Sequence, residues 1–228
     1  MSIEIIKTAD GSHSLYVKEL NEHYHSIHGA IQESKHVFIE AGLNYFLKIN
    51  PKNISILEIG FGTGLNTFLT YLKSTEINMP IHYTSLEAFP ISMELVNELN
   101  YADLLSDSKI DNSSLKNTFK SIHTCIWEND NLLSDNFTLK KINKTLQKII
   151  FNDTFDIIYF DAFGPRVQPE LWTEEIFRKI YNNTSTKGVL VTYCAKGEVK
   201  RTLKKIGFTI ESLQGPPGKR EMLRAVKN

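Results

Sequence analysis

The chain has 228 residues, with 26 Lys and Arg, 26 Asp and Glu, 7 His and 2 Cys, and a formal net charge of zero. That length suits one domain, or one plus a short appendage, and a hydrophobic content of 41% is too high for wholesale disorder. Cys125 and Cys194 are too few for a disulfide framework or a four-cysteine zinc site. No apolar run approaches the roughly 20 residues needed to span a bilayer. The start, Ser2-Ile3-Glu4-Ile5-Ile6-Lys7, carries an acid where a signal peptide has basic residues. A cytoplasmic protein with no membrane partner is therefore expected.

Ile3–Ile6 and Leu15–Val17 flank Asp10-Gly11, a turn dipeptide, and predict a hairpin. Apolar residues at helical spacing, from Ile27 through Phe46, predict a helix within residues 22–48. These two pieces form an N-terminal appendage over residues 1–50. From Ile54 the pattern becomes strand, loop, helix, repeated. Strands are expected at Ile54–Ile59, Ile81–Leu86, Phe137–Ile142, Phe155–Phe160, Val189–Tyr193, Phe208–Leu213 and Met222–Val226. Helices are expected at Leu65–Lys73, Pro90–Leu99, Thr173–Tyr181 and Val199–Ile206. Residues 100–150 read as short helices in a long crossover. Alternating strands and helices predict an α/β fold over residues 51–228, with a mostly parallel sheet covered on both faces. The last two strands, joined by a short Gly/Pro loop, predict a C-terminal antiparallel hairpin.

Four segments carry chemistry. Glu58-Ile59-Gly60-Phe61-Gly62-Thr63-Gly64-Leu65-Asn66 joins a strand to a helix. Its glycines allow a tight turn and close approach of a ligand, unless it is simply a glycine-rich turn. The spacing differs from the dinucleotide fingerprint and lacks the Lys-Ser/Thr ending of a P-loop. An acid two residues before the first glycine suits a cationic ligand such as S-adenosylmethionine, whose carboxylate can meet the N–H groups of the helix start. Glu87 ends the second strand, where an acid can accept both ribose hydroxyls of an adenosine. Asp161 ends a central strand in Asp161-Ala162-Phe163-Gly164-Pro165. A carboxylate there can hold an amine and accept its proton, with Phe163 and Pro165 as walls. The alternative for this segment is a loop-capping Asp, with Trp172 as ordinary core. Gln214-Gly215-Pro216-Pro217-Gly218-Lys219-Arg220-Glu221 is a stiff basic loop, or simply a solvated hairpin tip. His13, His23, His25, His28 and His36 crowd the N-terminal segment, but no Cys or paired carboxylate completes a ligand set, so no metal is expected.

Together these segments resemble the methyltransferase part of the MnmC family of bacterial tRNA wobble-uridine modification enzymes. The likeness covers most of the chain. It is carried by Tyr24-His25-Ser26-Ile27-His28-Gly29-Ala30 with Glu33 and His36-Val37-Phe38, by the glycine loop, by Asp161–Pro165 with Pro169-Glu170-Leu171-Trp172, and by Lys219-Arg220-Glu221-Met222-Leu223. The resemblance implies a class I, Rossmann-like methyltransferase with a seven-stranded sheet. It implies S-adenosylmethionine as cofactor and the 5-aminomethyl group of (2-thio)uridine at the tRNA wobble position as methyl acceptor. The FAD oxidoreductase domain of the bifunctional members would be absent. The cofactor would be held by Glu58, Gly60, Gly62, Gly64, Asn66 and Glu87. Asp161 would orient the amine and take its proton. Phe163, Trp172 or Tyr193 would stack on the base, with Pro165 walling the pocket, and Lys196, Lys219 and Arg220 would meet phosphates of the anticodon stem-loop.

One departure stands out. In the family an acid commonly follows the third strand and binds the adenine amino group. Here Asn143-Lys144-Thr145 occupies that place, leaving Asn143 or Thr145 as weaker neutral partners, with Asp130 or Asp135 as alternative acids. Two other readings compete: a small-molecule amine transferase of the spermidine-synthase type, and a non-catalytic RNA-binding protein. The zero net charge hides an asymmetry. Residues 187–228 hold ten bases and three acids, a charge of +7 that balances −7 over the rest. A localised tRNA contact fits that distribution, although a solvated basic helix would also produce it. A monomer suffices for this reading.

Overall fold

The computed structural model describes residues 2–106 and 111–228. The N-terminal hairpin forms as expected from β1 (Ile3–Lys7) and β2 (His13–Val17), and a two-residue strand, β3 (Glu22–His23), joins it to make a small three-stranded antiparallel sheet. The helix expected over 22–48 begins later. Residues 24–29 form an irregular connection, and α1 (Ala30–Ser34) leads into a wide π-helical stretch (Lys35–Leu43), then α2 (Asn44–Phe46) and a closing 3-10 turn (Leu47–Ile49). The chain between β3 and α1 bends to cover the glycine loop, a tertiary demand that outweighs helical periodicity.

The core alternates strand and helix: β4 (Ile54–Ile59), α3 (Leu65–Ile77), β5 (Ile81–Leu86), α4 (Met93–Glu98), α5 (Tyr101–Leu105), α6 (Asn112–Thr124), β6 (Asp130–Ser134), β7 (Phe137–Ile142), β8 (Phe155–Phe160), α7 (Glu174–Asn182), β9 (Thr184–Thr192), α8 (Gly197–Ile206), β10 (Thr209–Gln214) and β11 (Glu221–Val226). One sheet has the order β10-β11-β9-β8-β4-β5-β7-β6. The pairs β9–β8, β8–β4, β4–β5 and β5–β7 are parallel, while β10, β11 and β6 pair antiparallel at the two edges. The seven expected strands are all present, and β6 adds an eighth at the edge. Among the described residues, no helix is long and apolar enough to cross a membrane.

Period-two alternation splits the sheet into two buried faces. Ile56, Tyr83, Ile157 and Tyr159 pack with Leu15, Val37, Phe38 and Phe68 on one side. Leu57, Ile158, Phe160 and Leu190 pack with Phe177, Ile180 and Leu203 on the other. The expected helix starts are refined by their caps. Ser92 caps α4, and Thr173 caps α7 by accepting from the Ile176 N–H at 3.3 Å. The chain leaves β4 for one side of the sheet and enters β8 from the other, so the carboxyl ends of β4, β5 and β8 flank a topological switch point, where open α/β sheets bind ligands.

Candidate active site

A cleft of about 840 Å³ opens at that switch point. Its floor is the loop between β4 and α3. Gly60, Gly62 and Gly64 all have positive φ, at 93°, 52° and 72°. At Gly60 no other residue fits: a Cβ would lie 2.6 Å from the Asp161 carbonyl oxygen. Glu87 ties this loop to the one after β5. One carboxylate oxygen accepts the Gly62 N–H at 2.9 Å and the other accepts the Phe89 N–H at 2.8 Å. Behind the loop, His123 Nε2 donates to the Thr63 carbonyl at 3.1 Å, and the Tyr101 hydroxyl donates to Thr63 Oγ1 at 3.3 Å. Burial holds His25 and His123 down at about 4 and about 3, so both rings are neutral supports.

Glu58 is not a cleft wall. It is fully buried beneath the loop, where its Oε2 accepts from Ser85 Oγ at 2.6 Å and Thr67 Oγ1 at 3.1 Å. Desolvation pushes its carboxyl up to about 8. A direct contact between Glu58 and a cationic ligand is therefore replaced by a structural link among β4, β5 and α3.

Asp161 does face the cleft. It follows β8, and the alternation that buries Ile157 and Tyr159 on the α3 side points Asp161 the same way. Asn66, in the first turn of α3, donates from Nδ2 to Asp161 Oδ2 at 2.8 Å. Burial, reinforced by the Glu33 charge, raises the Asp161 carboxyl to about 7, against the opposing pull of Asn66 and Lys219. Tyr193 lines the same end, its hydroxyl donating to the Ala162 carbonyl at 2.8 Å.

Phe163 also lines this end, but Pro165 and Trp172 do not. Pro165 lies inside a turn closed by the Val167 and Gln168 N–H groups on the Gly164 carbonyl, at 2.8 and 3.1 Å. Trp172 packs against Phe160 and Phe177, and its Nε1 donates to the Phe163 carbonyl at 2.8 Å. Its ring belongs to the core and supports the Phe163 loop, so it does not present a stacking face to a base. Tyr24 was missed by residue-type reasoning. It sits edge-on to Phe163 with ring centroids 5.2 Å apart, lies over Gly62 and lines the cleft. Burial pushes its phenol up to about 12. Its only signal in the sequence was its place in the Tyr24–Ala30 segment.

The opposite end of the cleft is lined by Leu86, Ala88, Phe89, Lys144, Thr145 and Lys148. Asn143 is exposed, and its Nδ2 donates to the Glu87 carbonyl at 2.8 Å, fastening the loop after β7 to the loop after β5. Thr145 faces the cleft directly.

Five of the ten bases in the C-terminal quarter are engaged within the fold. Lys200 pairs with Glu221 at 2.5 Å, Lys205 with Glu174 at 2.6 Å and Arg224 with Glu211 at 2.5 Å. Lys227 donates to the Tyr181 and Thr184 carbonyls. Lys219 turns inward to pair with Glu33, which is 6% exposed. Lys196 and Arg220 are exposed and have no salt bridge among the described residues.

These groups fit S-adenosylmethionine. The apolar end with Leu86 and Phe89 suits adenine, Glu87 stands where ribose hydroxyls would lie, and Gly60–Gly64 lead into the N-terminus of α3 for a carboxylate. Asp161 and Asn66 stand at the end left for the methyl group. Fold and site together define a Rossmann-like, class I S-adenosylmethionine-dependent methyltransferase. The chain belongs to a family of S-adenosyl-L-methionine-dependent methyltransferases, whose sequence pattern matches residues 110–228. It is 29% identical, over 88% of its length, to the tRNA 5-methylaminomethyl-2-thiouridine biosynthesis bifunctional protein MnmC of Idiomarina loihiensis, covering 34% of that protein. It is 30% identical to the Leptospira borgpetersenii protein of the same name, over 88% of this chain and 31% of that one. The chain thus spans about a third of the length of these relatives. The crystal structure of MNMC2 from Aquifex aeolicus superposes with a TM-score of 0.78 at 26% identity, covering 98% of this chain and 70% of that one.

Proposed function

We propose that this chain methylates the primary amine of 5-aminomethyl-(2-thio)uridine at the wobble position of tRNA. The observation that carries this reading is Asp161, half-buried in the cleft wall, held by Asn66 and raised to about 7. The relatives' printed names, which refer to 5-methylaminomethyl-2-thiouridine biosynthesis in tRNA, supply the substrate class.

When bound, S-adenosylmethionine supplies a methyl group on a sulfonium, which an amine lone pair can attack. The protein's share is to present that lone pair. An alkyl amine is mostly protonated at neutral pH. A carboxylate with a value near 7 is a better proton acceptor than an ordinary one. Asp161 Oδ1 and Oδ2 can hold the amine and receive its proton, while Asn66 fixes the carboxylate plane. Tyr24, Phe163 and Tyr193 wall the chamber and exclude water. Positioning of this kind supplies much of the rate in such reactions. A wobble base reaches this chamber only by leaving the anticodon stack. Lys196 and Arg220, both exposed, and Lys148 at the other rim would meet the phosphates of the anticodon stem-loop. A tRNA substrate would place the protein in the cytoplasm.

The test is incubation with methyl-labelled S-adenosylmethionine and tRNA carrying the 5-aminomethyl group, followed by nucleoside analysis. Label in 5-methylaminomethyl-(2-thio)uridine is the expected result. Label in a small free amine, with none in tRNA, would overturn the reading.

A further inference from the structure

Lys219 belongs to the Lys219-Arg220-Glu221-Met222-Leu223 segment, and its residue type suggests a phosphate contact. Its surroundings suggest otherwise. The ammonium pairs with the Glu33 carboxylate, and its Nζ lies 3.9 Å from the centroid of the Tyr193 ring. Glu33 is itself fixed, its other oxygen accepting the Ser26 N–H at 2.7 Å. Tyr193 is fixed at its far end by the hydroxyl bond to the Ala162 carbonyl, the residue after Asp161. Three chain segments distant in sequence therefore meet on one wall of the reaction chamber. A cation held over a partly desolvated aromatic face contributes attraction as well as packing. Gly218 presses the loop into this position. Its φ is 83°, and a Cβ there would lie 2.0 Å from the His28 ring.

We propose that Lys219 is a positioning residue for methyl transfer and not an RNA contact: it locks Tyr193 against the Asp161 loop and balances the two carboxylates, Glu33 and Asp161, at the chamber wall. The inference rests on Asp161 serving the amine. The groups that face this cluster are Asp161 after β8, Glu33 on α1, Tyr193 and Cys194 after β9, His25 and His28 in the segment before α1, Asp10 in the turn after β1, and Glu22 on β3, which is itself paired with Arg166. His25 is neutral and Arg166 pairs with Glu22, so among the described residues Lys219 is the cation that offsets Glu33 and Asp161. Removing it leaves Glu33 free to raise the Asp161 carboxyl further.

The experiment compares the wild type with Lys219→Met, Lys219→Arg and the double variant Glu33→Gln/Lys219→Gln, which leaves no unpaired buried charge if the single variant fails to fold. For Lys219→Met, kcat is expected to fall about tenfold, with the acidic limb of its pH profile displaced to higher pH. The KM for tRNA should stay within about twofold and keep its salt dependence. Lys219→Arg, which keeps the charge and can stack on the ring, should recover most of kcat. In fluorotyrosine-labelled protein, the Tyr193 resonance should shift and broaden in Lys219→Met and in the double variant. A raised tRNA KM with kcat unchanged, or a Tyr193 resonance that does not move, would overturn the proposal. The resonance is read without substrate, so it tests the positioning even if tRNA proves not to be methylated.

Discussion

The two ends of the cleft are built by different rules. At the reaction end, side chains hold side chains. Asn66 is 3% exposed and grips Asp161, Tyr193 is pinned to Ala162, and Trp172 braces the Phe163 loop. At the adenine end the walls are backbone, apolar surface and exposed polar residues. Phe89 is 68% exposed, and Asn143 holds a carbonyl, not a ligand-facing charge. Chemistry requires groups fixed before the reaction begins. Recognition of a flat aromatic ring can be spread over several weak contacts. After the third strand, the acid beside Asn143 is Glu128, and it accepts the Asn143 N–H at 2.9 Å and pairs with Lys144, so it too fastens the loop.

The strongest way to break this contrast is at Asp161. Replacing it with Ala removes the proposed proton acceptor and leaves the opposite end of the cleft untouched. Methyl transfer should fall by about 10²–10³-fold, while calorimetric affinity for S-adenosylmethionine changes by no more than about threefold. Equal losses in both quantities would mean that the two ends do not have separate tasks.

Pre-organisation at the reaction end should also carry a cost in stability. Asp161 has a folded-state value of about 7, above its ordinary 3.8. The folded state therefore favours the proton. The contribution is fully present below about pH 4 and is lost as pH rises through about 7. Asp161→Asn mimics the protonated group at every pH. Its melting temperature should exceed that of the wild type by more at pH 8 than at pH 5. A constant offset across that range would show that the charge on Asp161 is not strained by its site.

The same contrast governs what could be read from the sequence. β4, the glycine loop and β5 announce themselves through local patterns: an apolar run, glycines at fixed spacing, an acid at a strand end. β8 and Asp161 follow the same logic. Trp172 and Glu58 have the residue types of a site, but packing takes both out of the cleft: Trp172 lies against Phe160 and Phe177, and Glu58 is buried beneath the glycine loop on Ser85 and Thr67. Tyr24, Glu33 and Lys219 stand in segments that carry the family likeness, but their contacts had no local signal, because each is defined by a partner far along the chain. Lys219 and Glu33 are separated by 186 residues. The charge asymmetry is only partly legible for the same reason: the excess of bases is real, but Lys200, Lys205 and Arg224 spend their charge on acids within the fold.

The smallest effect is expected where the family's acid is missing. The Asn143 side chain joins two loops through its bond to the Glu87 carbonyl, and a neutral hydrogen bond of this kind contributes about 1 kcal/mol. Asn143→Ala should therefore weaken S-adenosylmethionine binding by about fivefold and leave kcat at saturating cofactor near the wild-type value. Asn143→Asp separates two roles. If the position only fastens loops, an acid there repels the Glu87 carbonyl and binding weakens as it does in the Ala variant. If the position can reach the adenine amino group, the acid restores the charged acceptor seen in the family and binding tightens. Either direction tells how much of adenine recognition rests on the loop's shape and how much on a side chain.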